Sequence, residues 1–221
     1  MKVILSFIFV LFYSISAFSK DDIWNKAVEI SEKNKNYRAN NIVLFIDDMN
    51  KDGTVASSQE IYQKLRLGKE IKYDTVKVIK DGKDITQETL KKRKDKNRRS
   101  FLEDNDIFSK KIQDKITTNR SGTDTINSIN CNIYSYKFDK NEKEKYEGKV
   151  WLNKENGSPV KVEYTMNPLP IGLKNISIKY LYETKKDKTY IKTIIAEGEA
   201  SLLIFKKIFR MRANLKDYKD I

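Results

Sequence analysis

The sequence predicts a mainly β protein with few helices, an α+β chain whose strongly curved antiparallel sheet forms an unclosed β-barrel covered by helices. Three observations lead there. Apolar and polar residues alternate with period two over much of the chain beyond residue 40, the signature of half-buried strands. The links between these runs are too short for the crossovers that parallel strands need. Roughly eight to ten strands can be counted, and a twisted sheet of that extent must curl, split or close.

Residues 1–19 stand apart. Lys2 gives a basic start, "VILSFIFVLFYSI" is an apolar run, and Ala17 and Ser19 place small residues before a cut at Lys20. Those are the parts of a secretory signal peptide. A membrane anchor is the competing reading, but the uncharged stretch from Val3 to Ser19 sits at the short end of what spans a bilayer. No cysteine follows the cut to take a bacterial lipid anchor. The expectation is a signal peptide over 1–19, one domain over 20–221, and export to the periplasm.

The next segment, "DDIWNKAVEISEKNK", repeats Trp24, Ala27, Val28 and Ser31 at helical spacing, with Asp21 or Asp22 placed to cap the first turn. This predicts an amphipathic helix that ends at "YRANN". Two strands follow around Lys51-Asp52-Gly53, and another with Tyr73, Val76 and Val78 leads into Asp81-Gly82. Asp-Gly steps supply the left-handed backbone of tight turns. From Thr86 to Asn119 the pattern breaks. A basic tract, Lys91 to Arg99, precedes an acidic patch, and Phe101, Leu102, Ile107 and Phe108 are the apolar anchors. This predicts a short helix and an irregular lid or crossover on one edge of the sheet. With no glycines or aromatics interleaved, the basic tract reads as a solvated face or loop rather than a phosphate site.

The second half alternates most clearly. Cys131 is in phase with Ile129 and Ile133, while Tyr134, Tyr136 and Phe138 take the other phase, so this strand is covered on both sides or carries a bulge. Further runs place Val160, Val162, Tyr164 and Met166 on one side, then Ile176, Ile178, Tyr180 and Tyr182, and finally Phe209, Met211, Ala213 and Leu215.

Composition removes several function classes. With 0 histidines and 1 cysteine, the Ser-His-Asp, Cys-His and HExxH arrangements cannot form, and an internal disulfide is impossible. The charge of +13 comes mainly from lysine, without the arginine clusters or module of a nucleic-acid binder. Asp47 and Asp48 are adjacent strand residues and point to opposite sides. "DDMNKDGTVASS" imitates a calcium loop at Asp48, Asn50, Asp52 and Gly53, but Gln59 stands where the closing glutamate belongs. Glu103, Asp104 and Asp106 cluster locally, and no serine marks a strained elbow. No catalytic residue, metal or cofactor is expected, and an envelope hydrolase is the weakest reading.

The ribbon "YEGKVWLNKENGSPVKVEYTMNPLP", then "ISIKYLYE" and the closing "FRMRANLKDYKD", resemble the outer-membrane lipoprotein-sorting superfamily, the LolA/LolB-like fold. The resemblance implies an unclosed barrel whose helices plug a hydrophobic cavity, in a protein that carries or senses lipid-modified or acylated molecules. This chain differs in its lysine-rich middle.

A one-sided apolar sheet with little helix to cover it leaves a concave, aromatic-rich cavity. The inward phases make Trp151, Val162, Tyr164, Met166, Ile178, Tyr180, Phe209 and Met211 the candidate lining. Trp151 shares its phase with Lys149 and Asn153, opposite Val150 and Leu152, so the rim is the alternative for it. The expected partner is a lipid or an acylated lipoprotein, bound by a monomer, with peripheral contact to anionic membrane and no nucleic acid. The alternative is a non-catalytic envelope module with a packed core and a basic outer face.

Overall fold

The computed structural model describes residues 21–68, 71–92, 106–142, 144–202 and 205–221. The expected signal peptide, and most of the Lys91–Arg99 tract with Phe101 and Leu102, lie outside them. The described chain runs α1 (Asp22–Asn34), β1 (Tyr37–Met49), β2 (Val55–Arg66), β3 (Lys72–Lys80), β4 (Lys83–Asp84), α2 (Thr86–Lys92) and a 3-10 helix (Lys110–Lys115). It continues through β5 (Ile116–Ile126), β6 (Ile129–Asn141), β7 (Glu144–Asn153), β8 (Pro159–Asn167), β9 (Leu173–Lys185), β10 (Lys188–Leu202) and β11 (Phe205–Asp220).

The strands form one 11-stranded sheet in the order β4-β3-β2-β1-β11-β10-β9-β8-β7-β6-β5. Every pairing is antiparallel, and the ends do not close on each other. The link from β4 to β5 therefore crosses from one edge of the sheet to the other. This is the predicted irregular segment. Its described ends lie at the two opposite edge strands, and its last residues already belong to β5.

Register turns the sequence phases into one continuous inner face. Leu44 lies between Ile61 and Ala213, Ile194 between Ala213 and Tyr180, and Val162 between Tyr180 and Val150, which faces Tyr134. A parallel rung runs Ile46, Met211, Ala196, Ile178, Tyr164, Gly148 and Tyr136. Gly148 is required there. A Cβ on it would lie 1.9 Å from the Glu163 carbonyl oxygen and 2.8 Å from Tyr164 Cα.

The inner face is closed by α1 and residues 106–115. Trp24 and Ala27 are fully buried against the sheet, with Ile107 and Phe108 beside them. Asp21 caps α1 by accepting the Trp24 N–H at 3.0 Å, and its other oxygen accepts the Tyr134 hydroxyl at 2.7 Å. The helix ends at Asn34, so Tyr37–Asn41, expected to terminate it, already belongs to β1. Helical cover is also less than predicted. A 13-residue helix is about 20 Å long, whereas eleven strands set side by side span about 50 Å of arc. The α2 helix buries no residue and adds little.

The outer face carries a smaller apolar cluster of Cys131, Trp151 and Val160, with Ile126, Ile129 and Ile133 packed around it. β6 is thus covered on both sides. Elsewhere the outer face is laced by ion pairs, among them Lys161–Glu163 at 3.0 Å, Lys174–Glu199 at 3.3 Å and Arg210–Glu197 at 2.7 Å.

Candidate ligand cleft

Cover fades along the strands. Near α1 the inner face is buried at Ile42, Leu215, Ile194 and Tyr180. Toward the opposite end Leu44, Ile46, Met211, Phe209 and Ile176 become half-buried. There the β1–β2 turn and the first residues of β9 flank a cleft of about 550 Å³, within the range of small-molecule sites. Its lining is mixed: Ile176, Gly198 and Phe209 are in the inner phase, Asn175, Ser177, Glu197, Glu199, Ile208 and Arg210 are in the outer phase, and Met49 and Lys51 come from the β1–β2 end. Phe209 lies over Gly198, where a Cβ would stand 2.9 Å from the ring. The missing side chain is what gives the ring its place. A second depression, of about 680 Å³, lies between β3 and α2, lined by Val76, Lys77, Ile85, Thr86 and Glu88.

The buried core is rich in tyrosines. Tyr164 and Tyr180 share a hydrogen bond of 2.9 Å between their hydroxyls, and the rings of Tyr146, Tyr164 and Tyr180 meet edge to face at 5.6–5.8 Å. Burial pushes the phenols of Tyr136, Tyr164, Tyr180 and Tyr182 well above their ordinary range. They stay neutral and offer hydrogen bonds without charge. The buried Tyr136 hydroxyl has no hydrogen-bond partner among the described residues.

Residues 106–115 are clasped to α1 by polar contacts. Asp106 accepts from the Ser31 hydroxyl at 2.5 Å and the Phe108 N–H at 3.0 Å, Glu32 accepts the Lys110 N–H at 3.2 Å, and Trp24 donates its indole N–H to Gln113 at 2.9 Å. Burial raises the Asp106 carboxyl above the usual 3.8, against the opposing pull of Ser31, the Phe108 N–H and Arg38; Glu32 adds to the rise. The folded state therefore holds this proton more tightly than the unfolded chain. Stability from this group is full below the unfolded value and is lost as pH rises through the raised one. Thermal melts across that range are expected to show the decline, and Asp106→Asn is expected to flatten it; an unchanged slope in the variant would contradict this assignment.

The predicted lining residues separate into four places. Val162, Tyr164, Ile178 and Tyr180 meet in the buried core and do not line the cleft. Met166 and Met211 are partly buried against that core. Phe209 lines the cleft itself. Trp151 sits on the outer face, where its indole donates to Asp124 at 3.1 Å and the Lys161 ammonium lies 3.8 Å from its ring centroid. The sequence reading missed Met49, Lys51 and Gly198. Only the long-range pairing of Asp48 with Phe209 and of Phe209 with Gly198 brings them together.

The acidic motifs are used locally. Asp52 accepts from the Thr54 N–H and hydroxyl at 2.9 and 2.7 Å, and Asp48 pairs with Lys207 at 2.8 Å. Among the described residues no group of three acidic or cysteine side chains could hold a metal ion.

Comparison with solved structures brings up a domain from Vibrio parahaemolyticus described as a putative outer membrane lipoprotein-sorting protein. It is 14% identical, with 89% of this chain and 93% of that one covered at a TM-score of 0.41. A LolA superfamily protein from Nitrosomonas europaea follows at 10% identity, 90% and 92% coverage and a TM-score of 0.41. Lipoprotein-sorting and LolA-superfamily domains are thus among the matches. A DUF1329 family protein from Desulfovibrio piger matches at 12% identity, 90% and 91% coverage and a TM-score of 0.42. At these scores the likenesses add nothing to the strand order and register above. No family model and no curated protein matches the chain.

Proposed function

We propose that this protein is a periplasmic binding or carrier protein that holds a lipid, or the acyl group of a lipoprotein, against the open end of its concave face. The observation that supports this reading is the half-buried apolar end of the inner face, where Ile46, Met211, Phe209 and Ile176 lie beyond the cover of α1. An acyl chain placed there gains about 0.8 kcal/mol for each CH₂ taken out of water. Sorting of outer-membrane lipoproteins is the activity that fits such a holder.

The test is titration of delipidated protein with a fluorescent fatty acid. Saturable binding is expected, weakened about tenfold or more by Phe209→Asp, which puts a charge where the chain would lie. Tight binding unaffected by Phe209→Asp would remove the cleft from the proposal.

The second reading, a non-catalytic envelope module, draws on the filled half of the interior, where Trp24, Phe108 and Leu152 are fully buried. Ion pairs occupy some of its lysines, among them Lys161, Lys174 and Lys192.

A further inference from the structure

The two edges of the sheet are finished differently. At one, β4 has only 2 residues and α2 folds back over β3. There the Val78 N–H donates to Thr86 Oγ1 at 2.8 Å, and the Ile85 N–H donates to the Val78 carbonyl at 2.9 Å. The other edge is β5, an 11-residue strand with β6 on one side and no described strand on the other. Thr117 and residues 119–125 are exposed.

An open strand edge presents a row of unpaired N–H and C=O groups, and proteins blunt it with a lysine, a proline, a bulge or a cover. β5 contains no lysine and no proline, and its interruption is the register shift between Arg120 and Gly122. Before that shift Ile116–Arg120 pairs without a break, from Phe138 to Tyr134. Ile116, Thr117 and Thr118 are β-branched, which suits a pleated ladder.

The same stretch is surrounded by cations. Over residues 110–120, Lys110, Lys111, Lys115 and Arg120 stand against Asp114 alone. Lys137 lies opposite Thr117 on β6. These four lysines are exposed and form no ion pair among the described residues. Toward the far end of the strand, Asp124 is already engaged by the Trp151 indole N–H at 3.1 Å and the Thr125 N–H at 2.8 Å. The two faces of the edge also differ. Ile116 is buried on the inner face with Phe138, whereas Thr117 shares the outer side with Lys137.

We propose that β5 is a docking edge for an extended, acidic segment of a protein partner, which adds to the sheet as a further antiparallel strand along Ile116–Arg120. Main-chain hydrogen bonds hold such a guest whatever its sequence, and alternate side chains select it. Antiparallel addition brings the guest's C-terminal half to Ile116–Arg120, so the acidic residues belong in that half. Apolar residues alternating with them extend the inner face past Ile116. A second copy of this chain fits less well, because it would bring an identical set of lysines to the same short stretch, and like charges across an interface repel. Docking at this edge needs no lipid and stands apart from the carrier reading.

The experiment uses protein purified after export from cells expressing the full chain. It is titrated with a synthetic peptide matched to β5 in length, alternating valine with threonine and carrying glutamate at the polar positions of its C-terminal half. Saturable binding is expected, with slowed amide hydrogen exchange in residues 116–126 and unchanged exchange in residues 72–77 of β3. Methylating the peptide's backbone nitrogens on the pairing side keeps its charge and side chains but removes the ladder donors, and is expected to weaken binding about tenfold or more. Lys111→Glu with Lys115→Glu is expected to lower affinity for the glutamate peptide about tenfold and to favour its lysine counterpart. No saturable binding, protection outside β5, full affinity of the methylated peptide, or the double variant binding like the parent would overturn the proposal. So would a peptide-free dimer in sedimentation whose exchange is already slow at residues 116–126, which would give the edge to a second copy of the chain.

Discussion

A methyl group on Gly148 is expected to cost the protein more than about 3 kcal/mol, the upper end of overpacking penalties. Native domains hold only about 5–15 kcal/mol in reserve, so Gly148→Ala should accumulate poorly and melt far below the parent. The added carbon would stand 1.9 Å from the Glu163 carbonyl oxygen and 2.8 Å from Tyr164 Cα. Both are backbone atoms in the paired β8 strand, and no rotamer change can move them. Relief requires β7 and β8 to separate where Gly148 faces Tyr164 and Glu147 faces Thr165. That rung lies at the centre of the inner face, so the damage spreads to Tyr136 and Ile178. A urea midpoint for Gly148→Ala within experimental error of the parent would mean that the two strands are not held in this register.

Trp24→Ala should have the second large effect, about 3–5 kcal/mol of stability lost. Trp24 is fully buried, its ring lies 5.4 Å from that of Phe108 and 5.8 Å from that of Tyr134, and its indole N–H is bonded to Gln113. The residue ties α1, residues 106–115 and β6 into one plug. Its loss should loosen the plug before the strands part, so binding of a hydrophobic dye is expected to rise while far-ultraviolet circular dichroism keeps its β signal. Trp24→Phe keeps the ring packing, gives up the bond to Gln113 and should fall between the two. A Trp24→Ala protein that melts like the parent and binds no extra dye would show that α1 does not cover the inner face.

Local sequence carried the strands well because period-two alternation is a property of neighbours. The phases of Val162, Tyr164 and Met166, of Ile178 and Tyr180, and of Met211 and Leu215 came through intact. The opposite phases of Cys131 and Tyr134 correctly implied cover on both sides of β6. The N-terminal helix was legible from Trp24, Ala27 and the Asp21 cap. Its end was not, because Tyr37–Asn41 joins β1 through pairing with the far terminus, where Tyr37 faces Asp220 and Arg38 faces Lys219. The cleft was the least legible part. Its walls come from residues more than a hundred positions apart, and the reading placed Trp151 among them although it packs on the outer face over Cys131. Alternation assigns a residue to one of two sides; which side is concave depends on how the whole sheet bends.

The basic excess shows the same limit. The sequence suggested a lysine-rich outer face, and the structure sets Glu163, Glu183, Glu197 and Glu199 beside its lysines and arginines. Exposed pairs of this kind contribute about 0–1 kcal/mol each. They interleave the two signs of charge over that face.

The central claim is that the concave face is open to an oily ligand at the Phe209 end. Native mass spectrometry of protein purified after export, followed by solvent extraction, tests it most directly. The account predicts a fraction carrying one extra mass that extraction recovers as a lipid or acyl species and that Phe209→Asp diminishes. Protein of bare polypeptide mass, with no extractable lipid and no uptake of added fatty acid, would contradict it.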